Sequence, residues 1–299
     1  VSFLDGSVRV SVPATSANLG PGFDSLGLAL ELRDELTASA TDHGLGVEIA
    51  GEGAGDVARD ETHLVIRAMR AAFEALGEQP DGLLVSCLNR VPHARGLGSS
   101  SAAIVAGVHL ARGLVEGGAD ALSDHAAFRL AAEIEGHPDN VAAACFGGLT
   151  IAGEGERGDF AVSLPVVAGL RAVLLVPPTP LETAVARRLL PDVVPHRDAA
   201  ADAGRAALLV AALTRDPGLL HEATRDWLHQ EYRRPAMPES LVLIDRLRDE
   251  GHAAVVSGAG PTVLVLTDAT GPDPFAAYRP DGWRFLVLDV AGRGVTATR

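Results

Sequence analysis

The run from Val91 to Ala103, Val-Pro-His-Ala-Arg-Gly-Leu-Gly-Ser-Ser-Ser-Ala-Ala, decides how the rest of the chain is read. Gly96 and Gly98 permit close backbone approach and left-handed dihedrals. Ser99 to Ser101 supply hydroxyls and open an Ala-rich stretch that predicts a helix from about Ser100 to Leu114. A helix N-terminus presents unpaired N–H groups and about half a positive charge, which suits a phosphate. Leu83 to Leu88 predicts a strand just before it, so the run is a strand-to-helix loop able to cradle phosphate. The plainer alternative is a Gly-Ser loop that only caps the helix.

The chain has no lysine: all 25 basic residues are arginine. A P-loop needs Lys after its second glycine, but Ser99 follows Gly98. A protein kinase needs a strand lysine, and a dinucleotide fingerprint needs a third glycine at a spacing not found here. A triphosphate would have to be held by backbone amides, hydroxyls and a metal ion. The formal net charge of -14 over 299 residues excludes a nonspecific nucleic-acid or membrane-surface binder, since both partners are anionic. With 47% hydrophobic and 4% aromatic residues, the core must be built mainly of Ala, Val, Leu and Ile. Cys87 and Cys145 lie in apolar runs and read as buried thiols rather than a disulfide framework. No apolar run approaches the roughly 18 residues of a membrane span, and Val1 to Arg9 lack a signal-peptide pattern. A cytoplasmic protein is the expectation.

Outward from the loop, Val8 to Val12 alternates as a strand and is expected to stop at Pro13. A glycine-punctuated segment follows to Gly27, then an apolar stretch from Leu28 to Leu32. Leu64, Met69, Ala72, Phe73 and Leu76 fall at helical spacing, stopped by Gly77. A helix from Ser123 to Glu135 opens with a Ser-Asp start signal and runs into Gly136, where Pro138 should prevent continuation. The acid- and glycine-rich tract Gly153 to Asp159 is the boundary candidate, dividing the chain into residues 1–155 and 156–299. Beyond it, Leu170 to Val176 is a buried strand. Helical patterns cover Leu181 to Leu190, Ala199 to Thr214, Leu219 to His229 and Glu239 to Glu250. Ala253 to Ser257, Thr262 to Leu266 and Phe285 to Leu288 are strand-like. The mixture predicts an α+β protein in two halves.

Four ordered blocks resemble the GHMP kinases, the small-molecule kinases named for galactose, homoserine, mevalonate and phosphomevalonate. Pro92 to Ala102 is similar to the family's nucleotide loop. Ser257-Gly-Ala-Gly-Pro-Thr262 is similar to a glycine turn that packs near it. Pro13-Ala-Thr-Ser-Ala-Asn-Leu-Gly-Pro-Gly-Phe-Asp-Ser-Leu-Gly27 and Glu135-Gly-His-Pro-Asp-Asn-Val-Ala142, with Phe146, Gly147 and Gly148 following, resemble the homoserine-phosphorylating branch. The resemblance implies a ribosomal-protein-like N-terminal domain and a ferredoxin-like C-terminal domain, with ATP and L-homoserine meeting between them in a step of threonine biosynthesis. Relatives of this kind commonly form homodimers; the sequence itself does not give the oligomeric state.

It also implies roles for particular residues. Pro92, His93, Ala94, Arg95, Gly96, Leu97, Gly98, Ser99, Ser100, Ser101 and Ala102 would hold the nucleotide, with Gly258 and Gly260 of the second glycine turn. Mg2+ prefers oxygen ligands and commonly takes only one or two from protein. Ser100 and Glu133 are assigned to it, with Glu135 as the alternative acid. Asp24 suits the substrate ammonium, and Asn18 can orient the amino acid or its hydroxyl through a two-sided amide. Arg187 and Arg233 suit the carboxylate because a guanidinium forks onto both oxygens. Thr183, His137 and Asn140 complete the pocket. Trp227 and Glu231 depart from the family pattern, which has a basic residue and a proline at those places.

Mevalonate-type members use an aspartate base and a lysine. The matching position here is Asn140, which is no base at neutral pH. The resemblance therefore implies catalysis by positioning, with the hydroxyl proton passing to a phosphate oxygen. On this reading Asn18, Asn140, His137 and Glu133 form the catalytic set. His137 is first a substrate-orienting residue, with a base role as the alternative. Two other readings stand beside this one: a kinase for another small alcohol such as mevalonate, and a non-catalytic metabolite-binding relative.

Overall fold

The computed structural model describes residues 2–156, 158–268 and 274–299. In chain order the first part contains β1 (Val8–Asn18), β2 (Gly22–Thr41), β3 (Gly44–Gly51), α1 (Leu64–Leu76), β4 (Gly82–Asn89) and α2 (Ser99–Leu114). α3 (Gly118–Ala121), α4 (Asp124–Glu135), α5 (Pro138–Phe146), β5 (Leu149–Gly153) and β6 (Phe160–Leu164) follow. The second part holds β7 (Arg171–Val176), α6 (Thr183–Arg187), α7 (His196–Thr214), α8 (Leu220–Ala223), α9 (Pro238–Asp249), β8 (Ala253–Val256), β9 (Val263–Thr267) and β10 (Arg284–Asp289). The last strand is β11 (Thr296–Thr298).

Among the described residues the strands form a seven-stranded and a four-stranded sheet. The first has the path β11-β1-β2-β4-β3, with the β5–β6 hairpin paired to the start of β2. The second is antiparallel in the order β10-β7-β9-β8, the ferredoxin-like arrangement. Its first crossover carries α6 to α9, whereas the described part of the second has only a 3₁₀ turn, Pro274–Tyr278.

Pro13 does not end β1. β11 pairs with β1 only over Arg9 to Ser11, and a register shift against β2 falls between Pro13 and Ala14. A proline lacking its N–H is tolerated on such an unpaired edge beside a bulge. The expected boundary at residues 155 and 156 falls inside the β5–β6 hairpin, so the chain changes sheets after Leu164. β11 then returns to the first sheet.

The helix signals are local and hold. Gly77 closes α1 in the left-handed region, and the Ser123 side chain caps α4 by accepting from Ala126 N. Pro138 starts α5 at its first turn, where no N–H is missed. The pattern from Leu219 to His229 yields only α8, after which the chain turns.

Three apolar layers result. α1, α2, α4 and α5 pack on one face of the first sheet around Phe73, Met69 and Phe128. The alternation along β7 sends Ala172, Leu174 and Val176 into a layer shared with Leu28, Leu30 and Leu97 of the first part. Val173 and Leu175 go to the opposite layer, under α9. The shared layer holds the two parts together where β1, the Gly96 to Ser101 loop and the turn after β8 meet.

Candidate active site

That meeting point is fastened by polar bonds. Thr15 N donates to Leu97 O at 3.0 Å, and Gly258 N to Ala17 O at 3.0 Å. The Ser257 hydroxyl bonds Gly96 O at 2.7 Å and Ser16 Oγ at 2.8 Å. Gly98 is the N-cap of α2 with φ 68°, and a Cβ there would lie 1.9 Å from Thr15 Oγ1. Only glycine satisfies both the dihedral and the space.

Beside the loop opens a cavity of about 270 Å3, lined by residues of both halves. Along the glycine loop it is lined by Ala94, Gly96, Leu97, Gly98, Ser99 and Ser100. Opposite lie Asn18, Asp24, Thr183, Arg187 and Arg233, with Glu135, His137, Asp139 and Asn140 between. Arg187 forks onto Asp24, Nη1 to Oδ2 at 2.9 Å and Nη2 to Oδ1 at 2.7 Å. Arg233 is 1% exposed and donates to Gly258 O at 3.0 Å and His229 Nδ1 at 2.9 Å. Burial, and next the neighbouring Arg187 charge, push its pKa down to about 10, so it stays charged near neutrality. Its Nε has no hydrogen-bond partner among the described residues.

Asn18 is committed to the frame. Its Nδ2 donates to Gly258 O at 2.8 Å and its Oδ1 accepts from Asp24 N at 3.0 Å. Asn18 and Asp24 both sit in the left-handed region, at φ 67° and 52°, which turns their side chains toward the cavity at some cost in backbone strain. Asn140 Oδ1 accepts from Thr15 Oγ1 at 2.8 Å. His137 Nδ1 lies 3.1 Å from Asp139 Oδ1. Burial disfavours the imidazolium, but Asp139, with Glu135 nearby, outweighs it and holds the His137 pKa above its ordinary value. Asp139 is 2% exposed and also accepts from Asn140 N at 2.7 Å.

Several expected positions move. Glu133 is exposed on α4 and does not line the cavity. Glu135 does, and its Oε1 accepts from Ser100 Oγ and, at 2.8 Å, from Ser101 Oγ. The two acids are two residues apart on a helix and so point to different faces. Glu135 therefore replaces Glu133 as the acid beside the loop. Arg95 donates to Pro177 O and His93 O, each at 2.9 Å, and to Pro178 O, which makes it a strut to the second half rather than a group facing the cavity. Pro92 lines a separate cavity with Arg95, His93 lies between that cavity and the pocket that adjoins Ser99 and Ser100, and Ala102 is buried in the first core. Gly260 packs against Met237, leaving Gly258 and Ala259 of that turn at the cavity wall.

Sequence reasoning missed Asp139, which lay unassigned in a quoted block, and an adjoining pocket of about 230 Å3. Leu36, Val57, His63, Leu64 and Val65 line it together with Ser99 and Ser100, so it opens beside the same helix start. His63 is 5% exposed and its Nδ1 has no partner among the described residues. Burial, and then His93, lower its pKa, keeping the ring neutral.

A cleft between a ribosomal-protein-like half and a ferredoxin-like half, with a glycine loop on a helix N-terminus, defines a class of small-molecule kinase. The chain belongs to the GHMP kinases: residues 63–148 match the family's N terminal domain and residues 184–278 its C terminal domain. Within that family, relatives about half identical to it are homoserine kinases. It is 53% identical to homoserine kinase of Streptomyces avermitilis, covering 99% of this chain and 97% of that one. It is 54% identical to the Streptomyces coelicolor homoserine kinase, covering 99% and 96%. A solved homoserine kinase from Cytophaga hutchinsonii superposes with a TM-score of 0.85 at 26% identity, covering 100% of this chain and 99% of that one. Among the described residues no helix is long and apolar enough to cross a membrane.

Proposed function

We propose that the chain transfers the γ-phosphoryl group of ATP to the hydroxyl of L-homoserine, giving O-phospho-L-homoserine, ADP and a proton. The observation that carries this reading is one cavity with two unlike ends. A phosphate-cradling helix start faces a charged set, Asp24, Arg187 and Arg233, that complements the ammonium and carboxylate of an amino acid. In the structure Asp24 and Arg187 pair with each other, and only a substrate with both charges gives each of them a new partner.

The neighbouring pocket suits the nucleoside. Its walls are largely apolar, and the neutral His63 ring offers Nδ1 to an amino or hydroxyl group. Ser99 and Ser100 line both spaces, so a nucleotide in the second pocket extends its phosphates toward the first.

The donors at the mouth fit Mg2+. Ser100 Oγ and the Glu135 carboxylate converge, and a hard cation that brings its own water and phosphate ligands needs no more from protein. When bound, Mg2+ neutralises charge on the triphosphate. The protein's own part is positioning: Gly98 and the α2 N–H groups orient phosphate, the arginines and Asp24 hold the amino acid, and Asn18 and Asn140 keep the frame rigid. His137 is engaged by Asp139, and its raised pKa favours the protonated form, an orienting donor rather than a base. The hydroxyl proton leaves to a phosphate oxygen.

A substrate panel tests the proposal. With ATP and Mg2+, kcat/KM for L-homoserine exceeds that for mevalonate by at least about 10²-fold, the effect of leaving charged groups unpaired. Preference for mevalonate, which has a carboxylate but no ammonium, would overturn it.

A further inference from the structure

Phe23 stands without a role in the sequence block that supplies Asn18 and Asp24, yet both cavity arginines converge on its ring. The guanidinium carbon of Arg187 lies over the ring, 5.7 Å from its centroid, and that of Arg233 at 5.6 Å. The His229 ring packs against it as well, 5.3 Å away and tilted by 30°. Phe23 sits half-buried at the start of β2, and its backbone is fixed one residue on, where Asp24 N donates to Asn18 Oδ1. His229 is fixed in turn. Gly20 O can only accept, so Nε2 carries the proton and Nδ1 accepts from Arg233. Phenyl ring, imidazole and two guanidinium groups form one packed unit drawn from both halves of the chain.

Two cations that must converge on one carboxylate repel each other. Burial, and next the Arg187 charge, lower the Arg233 pKa. An acid placed between them would hold both but occupy the N–H groups that a substrate carboxylate needs. An aromatic face attracts a guanidinium through its quadrupole and takes none of those groups. Arg233 otherwise bonds neutral acceptors, Gly258 O and His229 Nδ1, and its Nε has no partner among the described residues. Arg187 forks onto Asp24. An arriving ammonium takes Asp24 and an arriving carboxylate takes Arg187, so that pair loosens while the ring contact persists.

We propose that Phe23 is a positioning residue for both arginines, an uncharged platform that holds two like charges side by side and sets the affinity for the substrate carboxylate. The proposal rests on Arg187 and Arg233 binding that carboxylate.

Site-specific replacement of Phe23 by mono-, di- and trifluorophenylalanine keeps the shape of the ring while draining negative charge from its face in steps. The homoserine KM rises at each step, to about tenfold for the trifluoro ring, while kcat and the ATP KM stay within about twofold. Phe23→Leu, apolar but without a π face, equals or exceeds the trifluoro effect. A homoserine KM indifferent to fluorination would overturn the proposal, since packing alone does not sense the ring's charge distribution. A second readout needs no turnover. In ¹H–¹⁵N spectra the Nε–H protons of Arg187 and Arg233 lie upfield in the wild type, shielded by the ring current, and move downfield in Phe23→Leu. Signals that stay in place overturn the platform whatever the substrate. Signals that move, with a homoserine KM unchanged in Phe23→Leu and in Arg187→Ala alike, overturn instead the reading that these arginines bind the carboxylate.

Discussion

Neutralising Glu135 separates the acid beside the loop from its neighbour on the same helix. The Glu135 side chain is 9% exposed and takes two hydroxyl hydrogen bonds, from Ser100 and Ser101. Hydrogen bonds to a charged partner contribute about 1.5–3 kcal/mol each, roughly twice a neutral one. Glu135→Gln keeps the shape but halves both bonds, a loss of about 1.5–3 kcal/mol, and it removes the charge beside the loop. At about 1.4 kcal/mol per decade, kcat with Mg2+ and ATP falls by about 10- to 10²-fold. Glu133→Gln changes an exposed side chain and stays within about twofold of wild type. ADP release is followed at saturating homoserine while Mg2+ is titrated. The required Mg2+ concentration rises in Glu135→Gln alone. A larger loss in Glu133→Gln than in Glu135→Gln refutes the geometry.

Gly98→Ala forces a methyl to within 1.9 Å of Thr15 Oγ1 at φ 68°; strain of about 1–2 kcal/mol plus the lost Thr15–Asn140 bond raises the ATP KM by at least about tenfold, read by initial rates. Arg187→Ala raises the homoserine KM by about tenfold or more and leaves the ATP KM within about twofold, because its partner Asp24 lies at the amino-acid end. His109 supplies a pH test of stability. Burial, and next Arg112, depress its pKa to about 4, below the unfolded value near 6.5. The unfolded chain therefore binds the extra proton between those values, and this residue's contribution falls by about 3 kcal/mol as pH drops from 6.5 to 4. Denaturant unfolding at the two pH values checks the slope, which flattens in His109→Gln.

What was legible in the sequence was local. Gly77, Ser123 and Pro138 act within one turn of themselves, and α1, α4 and the start of α5 follow from them. Pro13 misled because its tolerance depends on where β11, nearly three hundred residues away in the chain, stops pairing. The Gly153 to Asp159 tract looked like a linker because a glycine-rich hairpin turn has the same composition as one. The helical spacing from Leu219 to His229 lost to Asp226, whose carboxylate caps three successive backbone N–H groups in a turn. At the site, the glycine loop and its serines were readable because phosphate binding needs a particular backbone. The choice between Glu133 and Glu135 was not, since it depends on which face of α4 meets α2. Arg95 shares its motif with the loop but spends its donors on carbonyls of the second half. His63 carried no readable signal, because its orphaned nitrogen appears only once the pocket walls assemble.

The most direct measurement is a ³¹P NMR time course of the protein with ATP, Mg2+ and L-homoserine. A lysine-free site that orients both substrates yields one O-phospho-L-homoserine for each ADP formed, and none when homoserine is omitted. ADP accumulating with free inorganic phosphate instead, or ATP left intact, would contradict it.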